Sequence, residues 1–202
     1  MIKNVAIQKF KMGSADVYLM DTSDVNQQML SEELSLELIN YAQTTFKSEK
    51  RQKEWLGTRL LLKLIEGQNA QISYKATGAP ILVNNQKHIS ISHSGTYVAI
   101  ALSNCHIGLD VQLITDKAMR LKSRFLSEKE ALLLTSQTDI EGAIRLWCAK
   151  EAVYKYLDIP GTELIGGIVL EKTPHDELLE TSHGLQIYFN KHDNVVMAIA
   201  EK

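Results

Sequence analysis

Leu146-Trp147-Cys148-Ala149-Lys150-Glu151-Ala152-Val153-Tyr154-Lys155 is the stretch on which the reading of this chain turns. Set about 100° apart around a helix axis, Leu146, Trp147, Val153, Tyr154 and Leu157 share one arc, and Lys150 falls in its middle. Glu151 and Lys155 lie at the edge of that arc, one turn apart. An exposed Glu-to-Lys pair at this spacing is worth only about 0.2–0.5 kcal/mol. A lysine on a buried stripe is a stronger signal, because its ammonium needs either an anionic partner or a route to water.

Upstream, Ile107-Gly108-Leu109-Asp110-Val111-Gln112-Leu113 alternates as a strand does. Leu109, Val111 and Leu113 face a core, and Gly108, Asp110 and Gln112 line the other face. Asp110 and Gln112 are then about 7 Å apart, both able to offer oxygen to a hard cation. Gly108 is expected to leave room for a ligand to approach the backbone.

Around these two elements the chain reads as α+β with mainly antiparallel strands. Helices are expected at Ser31–Thr44, Lys50–Glu66, Lys117–Lys122, Glu128–Thr135 and Glu141–Leu157. Strands are expected at Ile2–Phe10, Asp16–Asp21, Ile72–Lys75, Ile89–His93, Tyr97–Leu102, Ile107–Ile114, Gly167–Leu170, Leu185–Asn190 and Asn194–Ala200. Ser94-Gly95 turns one hairpin, with His93 at its mouth, and the segment Asn190 to Asn194 turns another. Ser127-x-x-Glu130 is a capping box and starts a helix. Phe46-Lys47-Ser48-Glu49-Lys50 is echoed by Phe125-Leu126-Ser127-Glu128-Lys129, each followed by a Trp with a Lys eight residues on: Trp55 with Lys63, Trp147 with Lys155. The echo suggests two similar halves, 1–103 and 104–202.

Composition sets outer bounds. A chain of 202 residues can bury a core as one domain or two small ones, and 45% hydrophobic with 23% charged residues is ordinary for a globular protein. A net charge of -2 gives no reason to expect nucleic acid as the main partner. Cys105 and Cys148 lack CxxC spacing and read as small hydrophobes. There is no signal-peptide pattern at the N-terminus and no apolar run of membrane-spanning length, so a cytoplasmic address is expected. GxxxxGK[ST], HExxH, zinc-spaced Cys/His and GxSxG patterns are all missing, which argues against the chemistries they carry.

The pair Gly108-x-Asp110-x-Gln112 and Trp147-x-x-Lys150-Glu151-Ala152-x-x-Lys155 resembles the signature of the 4′-phosphopantetheinyl transferases, in the larger surfactin-synthetase-activating type. Gly78-Ala79-Pro80 leading into Ile89-Ser90-Ile91-Ser92-His93-Ser94-Gly95, and Trp55-Leu56-Gly57-Thr58-Arg59-Leu60-Leu61, resemble two more of its segments. All stand in the family's order, over roughly residues 46 to 170. The resemblance implies two α+β subdomains related by a pseudo-twofold, with the active site in the cleft between them. It implies transfer of 4′-phosphopantetheine from coenzyme A to a serine of an apo acyl or peptidyl carrier protein, and release of adenosine 3′,5′-bisphosphate. Mg²⁺ would be held by Asp110 and Glu151, with Gln112 a third ligand. Lys155 would point at phosphate oxygen, and Lys150 would either join it or serve packing. The general base stays open between Glu151 and a metal-bound water. Ser92 and His93 would meet the 3′-phosphate or adenine side of the coenzyme, with cations from Arg51 and Lys53, of which Lys53 aligns better.

Two departures from the family pattern stand out. Gln112 occupies a position that is usually Glu, and Ala79 one that is commonly Lys. Each removes a charge, so a catalytically silent relative that binds coenzyme A and carrier proteins is the alternative. Lys117, Arg120, Lys122 and Arg124 form a basic patch suited to a negatively charged carrier helix. A monomer is expected, since a duplicated chain builds its cleft without a second copy.

Overall fold

Strand alternation decides which side of each sheet meets which core in the computed structural model, which describes residues 5–172 and 179–202. Strand β1 (Ile7–Met12) turns at Gly13-Ser14 into β2 (Ala15–Asp21). Three helices follow: α1 (Gln27–Glu33), α2 (Leu36–Thr45) and α3 (Glu49–Glu66). Next come the short strands β3 (Ile72–Tyr74) and β4 (Pro80–Leu82), the hairpin of β5 (His88–Ser94) with β6 (Tyr97–Ser103), and β7 (Gly108–Leu113). Helices α4 (Lys117–Leu121), α5 (Glu128–Ala131) and α6 (Ile140–Leu157) precede β8 (Leu170–Lys172), β9 (Leu179–Thr181), β10 (Gln186–His192) and β11 (Val195–Glu201).

The strands form a four-stranded sheet in the order β1-β2-β6-β5, a five-stranded sheet in the order β7-β11-β10-β9-β8, and the ribbon β3-β4. Every strand pair among the described residues is antiparallel, as an α+β chain requires. Three cores result. Val98, Ile100 and Leu102 of β6 face Leu56, Leu60 and Leu61 of α3. Ala99 and Ala101 face the other way, into a layer shared with Leu109 and Val111 of β7 and with Val195, Met197 and Ile199 of β11. Val196, Ala198 and Ala200 then meet Cys148, Ala149 and Ala152 of α6. Helix, sheet, sheet and helix are thus stacked, and period-two alternation sorts each strand's side chains between two cores. The aromatic members of the sequence echo are in contact but in different geometries: Phe46 lies 6.0 Å from Trp55 with the rings tilted at 47°, and Phe125 lies 4.7 Å from Trp147 edge-on at 88°.

The two large sheets meet along β5 and β7 without a backbone ladder among the described residues. Instead, the hydroxyls of Ser90, Ser92 and Ser94 accept the N–H groups of Leu109 at 2.9 Å, Val111 at 3.1 Å and Leu113 at 3.0 Å. Three serines spaced by two share a strand face, so one strand satisfies the edge donors of its neighbour through side chains alone.

Several elements differ from the sequence expectation. The helix expected over Ser31–Thr44 is two helices, because Asn26 caps α1 and Ser35 caps α2 by accepting the Leu38 N–H. The capping box at Ser127 and Glu130 is present, but α5 stops at Ala131 rather than reaching Thr135. Strand β1 begins at Ile7 and runs to Met12; residues 2–4 of the expected Ile2–Phe10 strand lie outside the described residues. The strand expected at Gly167–Leu170 is β8, shifted to Leu170–Lys172. Gly95-Thr96 and Asp193-Asn194 make the two tight hairpin turns, each with its first residue in the left-handed region, at φ 62° and 51°. The short strands β4 and β9, too brief to carry a period, were not expected.

Candidate active site

Helix α6 lies across β7, and Gly108 makes this possible. A Cβ at Gly108 would overlap the carbonyl oxygen of Ala152 and crowd the Tyr156 N–H. The glycine therefore makes room for the helix and not, as expected from the strand alone, for a ligand. Asp139 caps the start of α6 by accepting the Gly142 N–H at 2.8 Å. With the helix fixed at this distance, Asp110 of β7 is buried beneath it, 3% exposed.

Asp110 is held from three sides. Its Oδ1 accepts from the Lys155 ammonium at 2.7 Å and from the Ser92 hydroxyl at 2.8 Å, and its Oδ2 accepts from the Gln112 amide nitrogen at 2.9 Å. The ammonium of Lys155 spends its other two protons on Ser92 Oγ at 3.0 Å and on the Leu109 carbonyl at 2.9 Å. Its side chain is still 29% exposed, so solvent reaches it. Lys155 also stands in the last turn of α6, where the helix dipole favours a cation.

Glu151 completes the group. It is half-buried one turn before Lys155, and its carboxylate has no hydrogen bond or ion pair among the described residues. Burial raises its proton affinity first and the charge of Asp110 raises it further, with Lys155 opposing. Two partly or fully buried carboxylates that feel each other, one of them without a hydrogen bond or ion pair among the described residues, suit a hard divalent cation. The donor set is small: among the described residues no cluster of three or more His, Cys, Asp or Glu groups forms a metal cage. The amide oxygen of Gln112 accepts from Ser94 Oγ at 3.5 Å while its NH₂ faces Asp110. To ligate a cation beside Asp110, that amide would have to turn over.

Lys150 is not part of this group. Its ammonium donates to Glu130 Oε1 at 2.7 Å and to the carbonyls of Leu164 at 2.6 Å and Ile168 at 2.8 Å, at 0% exposure. Of the two roles open to it, the structure gives it the packing role, because all three protons are consumed. Although burial pushes the Glu130 carboxyl up, the Lys150 ammonium and donors from Ser127 and Leu170 hold it below the usual glutamate range. Sequence reasoning saw Glu130 only as half of a capping box.

On the other face of β5, His93 meets α3. Arg51 can only donate, so His93 Nε2 accepts from its guanidinium at 2.8 Å and Nδ1 carries the proton toward Glu54 Oε1 at 3.4 Å. Burial lowers the proton affinity of His93, and Arg51, Lys155 and Lys50 lower it further against the pull of Glu54. Lys53, two residues from Arg51, points about 200° away around the helix and is exposed. Arg51 is thus the cation that reaches His93. Ser92 and His93 leave the strand in opposite directions, and the Ser92 hydroxyl is taken up by Asp110, so the two do not converge on one ligand group. Glu54, 7% exposed, was missed; its i+3 and i+4 spacing from Arg51 and Lys50 was the available signal.

A cavity of about 540 Å³ opens between the β3-β4 ribbon and the C-terminal end of α6, lined by Lys75, Gly78, Pro80, His106, Tyr154 and Lys155. Asp110, Gln112 and Glu151 are not in its wall; Lys155 is the side chain it shares with the carboxylate group.

A carboxylate pair beside a lysine, set where a long helix crosses an acidic strand, has the chemistry to hold a cation and an anionic ligand. Residues 106–200, which carry all of these groups, match the family model of the 4′-phosphopantetheinyl transferase superfamily. Over 107 residues the chain is 28% identical to the 4′-phosphopantetheinyl transferase gsp of Aneurinibacillus migulanus, an alignment that covers 50% of this chain and 45% of that protein. The chain thus spans about half the length of the curated relative it matches. Through residues 106–200 the chain is similar to the 4′-phosphopantetheinyl transferase superfamily.

Proposed function

We propose that the protein transfers the 4′-phosphopantetheine group of coenzyme A to a serine hydroxyl of an apo carrier protein. The serine oxygen forms a new bond to the phosphorus bearing the pantetheine arm. The phosphoanhydride bond breaks, and adenosine 3′,5′-bisphosphate leaves with the electron pair. The observation that supports this reading is the ion pair of Lys155 with Asp110 at 2.7 Å beside Glu151, whose proton affinity Asp110 raises and Lys155 lowers.

Asp110 and Glu151 would hold Mg²⁺, with Gln112 and water completing the shell, and the ion would supply charge neutralisation at the pyrophosphate. Lys155 gives up one of its three internal acceptors to take a phosphate oxygen. Glu151, through a second carboxylate oxygen, would accept the proton of the attacking serine. Arg51 and His93 face the other end of the coenzyme, where a 3′-phosphate would favour the protonated imidazole. The bulk of the coenzyme would lie along the cavity beside Gly78 and Pro80. The exposed Lys117, Arg120 and Arg124 form the surface offered to an acidic carrier helix. Both sides of the site come from one chain, so a monomer suffices.

The second reading, a silent coenzyme-binding relative, draws on Gln112, whose amide now braces Asp110 where a charged ligand is usual for the family. Incubation with coenzyme A, Mg²⁺ and an apo carrier, followed by intact mass of the carrier, separates the two. A gain of one phosphopantetheine supports the transferase. Unchanged carrier mass with measurable coenzyme binding supports the silent relative.

A further inference from the structure

The hydroxyl of Ser92 has its full complement of partners. It donates its one proton to Asp110 Oδ1 at 2.8 Å and accepts from the Val111 N–H at 3.1 Å and from the Lys155 ammonium at 3.0 Å. Ser92 is 4% exposed, so none of these partners is exchanged freely with bulk water. Ser90, two residues earlier on the same face, is equally buried and accepts the Leu109 N–H at 2.9 Å, and it has no hydrogen bond to Asp110 or Lys155 among the described residues. The two serines do the same work in joining the sheets. They differ in contact with the charged pair, which Ser92 alone makes, and in that Ser90 lines the cavity.

We infer that Ser92 is a positioning residue for the cation site. Its donated proton fixes the rotation of the Asp110 carboxylate, which leaves Oδ2 directed toward the Gln112 amide. Its lone pair holds the Lys155 ammonium above the same carboxylate. Because the hydroxyl is itself pinned by the Val111 N–H, the geometry of the seam between the sheets is passed directly to the ligand oxygen. Groups that orient a metal-ligating carboxylate typically change metal affinity by about 10–100-fold when removed.

This inference rests on the reading of Asp110 as a cation ligand, and the matched pair of serines separates the two. Ser92→Ala and Ser90→Ala are compared with the wild-type protein by thermal unfolding and by calorimetric titration of Mn²⁺ in the presence of coenzyme A, with turnover against Mg²⁺ concentration as a further readout. Both variants are expected to lose stability, since each strands one β7 N–H, and Ser92→Ala is expected to lose more because its hydroxyl also bonds Asp110 and Lys155. Only Ser92→Ala is expected to weaken Mn²⁺ by about 10-fold or more and to raise the Mg²⁺ concentration for half-maximal rate in step, with Ser90→Ala within about threefold of wild type. Equal shifts in the two variants, or none in either, would overturn the role of Ser92. A wild-type protein that takes up no Mn²⁺ would overturn the parent reading and this one with it. Should Ser92→Ala not fold, Ser92→Cys, close in shape and a far weaker donor, is read against the same Ser90 control.

Discussion

Two lysines five residues apart on α6 make ion pairs of the same length and opposite character. Lys150 meets Glu130 at 2.7 Å with both side chains sealed, at 0% and 1% exposure. Lys155 meets Asp110 at 2.7 Å with 29% and 4% exposed. Each ammonium donates three hydrogen bonds, so counting partners does not tell them apart. The difference lies in the surroundings. Lys150 is closed in by backbone carbonyls and a carboxylate already committed to a helix cap. Lys155 sits at the rim of a cavity, beside Glu151, a carboxylate with no hydrogen bond or ion pair among the described residues. A buried pair that satisfies itself can only brace the fold; a half-open pair next to an uncompensated charge can exchange partners with a ligand.

The largest effect is expected at the sealed pair. Lys150→Ala leaves Glu130 buried without its counter-ion and should cost about 3–5 kcal/mol, read by denaturant unfolding. If Lys155→Ala proves equally destabilising, the contrast between the lysines fails. At the open pair the sign reverses. A carboxyl whose folded proton affinity is raised destabilises the fold once ionised, from the ordinary glutamate range upward, so stability falls as pH rises through that window. Glu151→Gln should therefore raise Tm at pH 7 by about 2 °C while abolishing transfer, and the gain should vanish as the pH drops below the ordinary glutamate range. Glu130 behaves oppositely: its lowered value contributes stability at neutral pH that is lost as pH falls through that value.

Smaller effects sharpen the picture of the open pair. Gln112→Glu restores a negative charge beside Asp110 and should lower the Mg²⁺ requirement about threefold to tenfold. An unchanged requirement would assign Gln112 to bracing Asp110 alone. Arg120→Glu with Lys122→Glu should raise the KM for carrier by a few-fold and leave that for coenzyme A nearly unchanged, a modest effect because these charges are solvated. Equal changes in both constants would move the docking surface elsewhere.

The contrast also marks how far the sequence could be read. Leu109 and Val111 against Asp110 and Gln112 gave the two faces of β7 by alternation alone, and the α6 stripe showed that Lys150 needed either an anion or a route to water. That this anion is Glu130 could not be read, because a partner twenty residues away is set by how α5 folds back, and not by spacing on one helix. The serine seam was equally hidden: Ser90, Ser92 and Ser94 display the period of a strand, but nothing local says that their hydroxyls replace a ladder between two sheets. Gly108 was read as space for a ligand because the sequence does not show which helix will cross it. The break at Ser35 and the short strands β4 and β9 are decided by caps and by sheet edges, which three or four residues do not encode.

The central claim is that Asp110 and Glu151 act together on one divalent cation held against coenzyme A. Its most direct test is calorimetric titration of Mn²⁺, with coenzyme A present, into the wild-type protein, Asp110→Asn, Glu151→Gln and the double variant. One cation per chain in the wild type, lost in each single variant with no further loss in the double, is the predicted result. Wild-type stoichiometry and affinity in either single variant would contradict it.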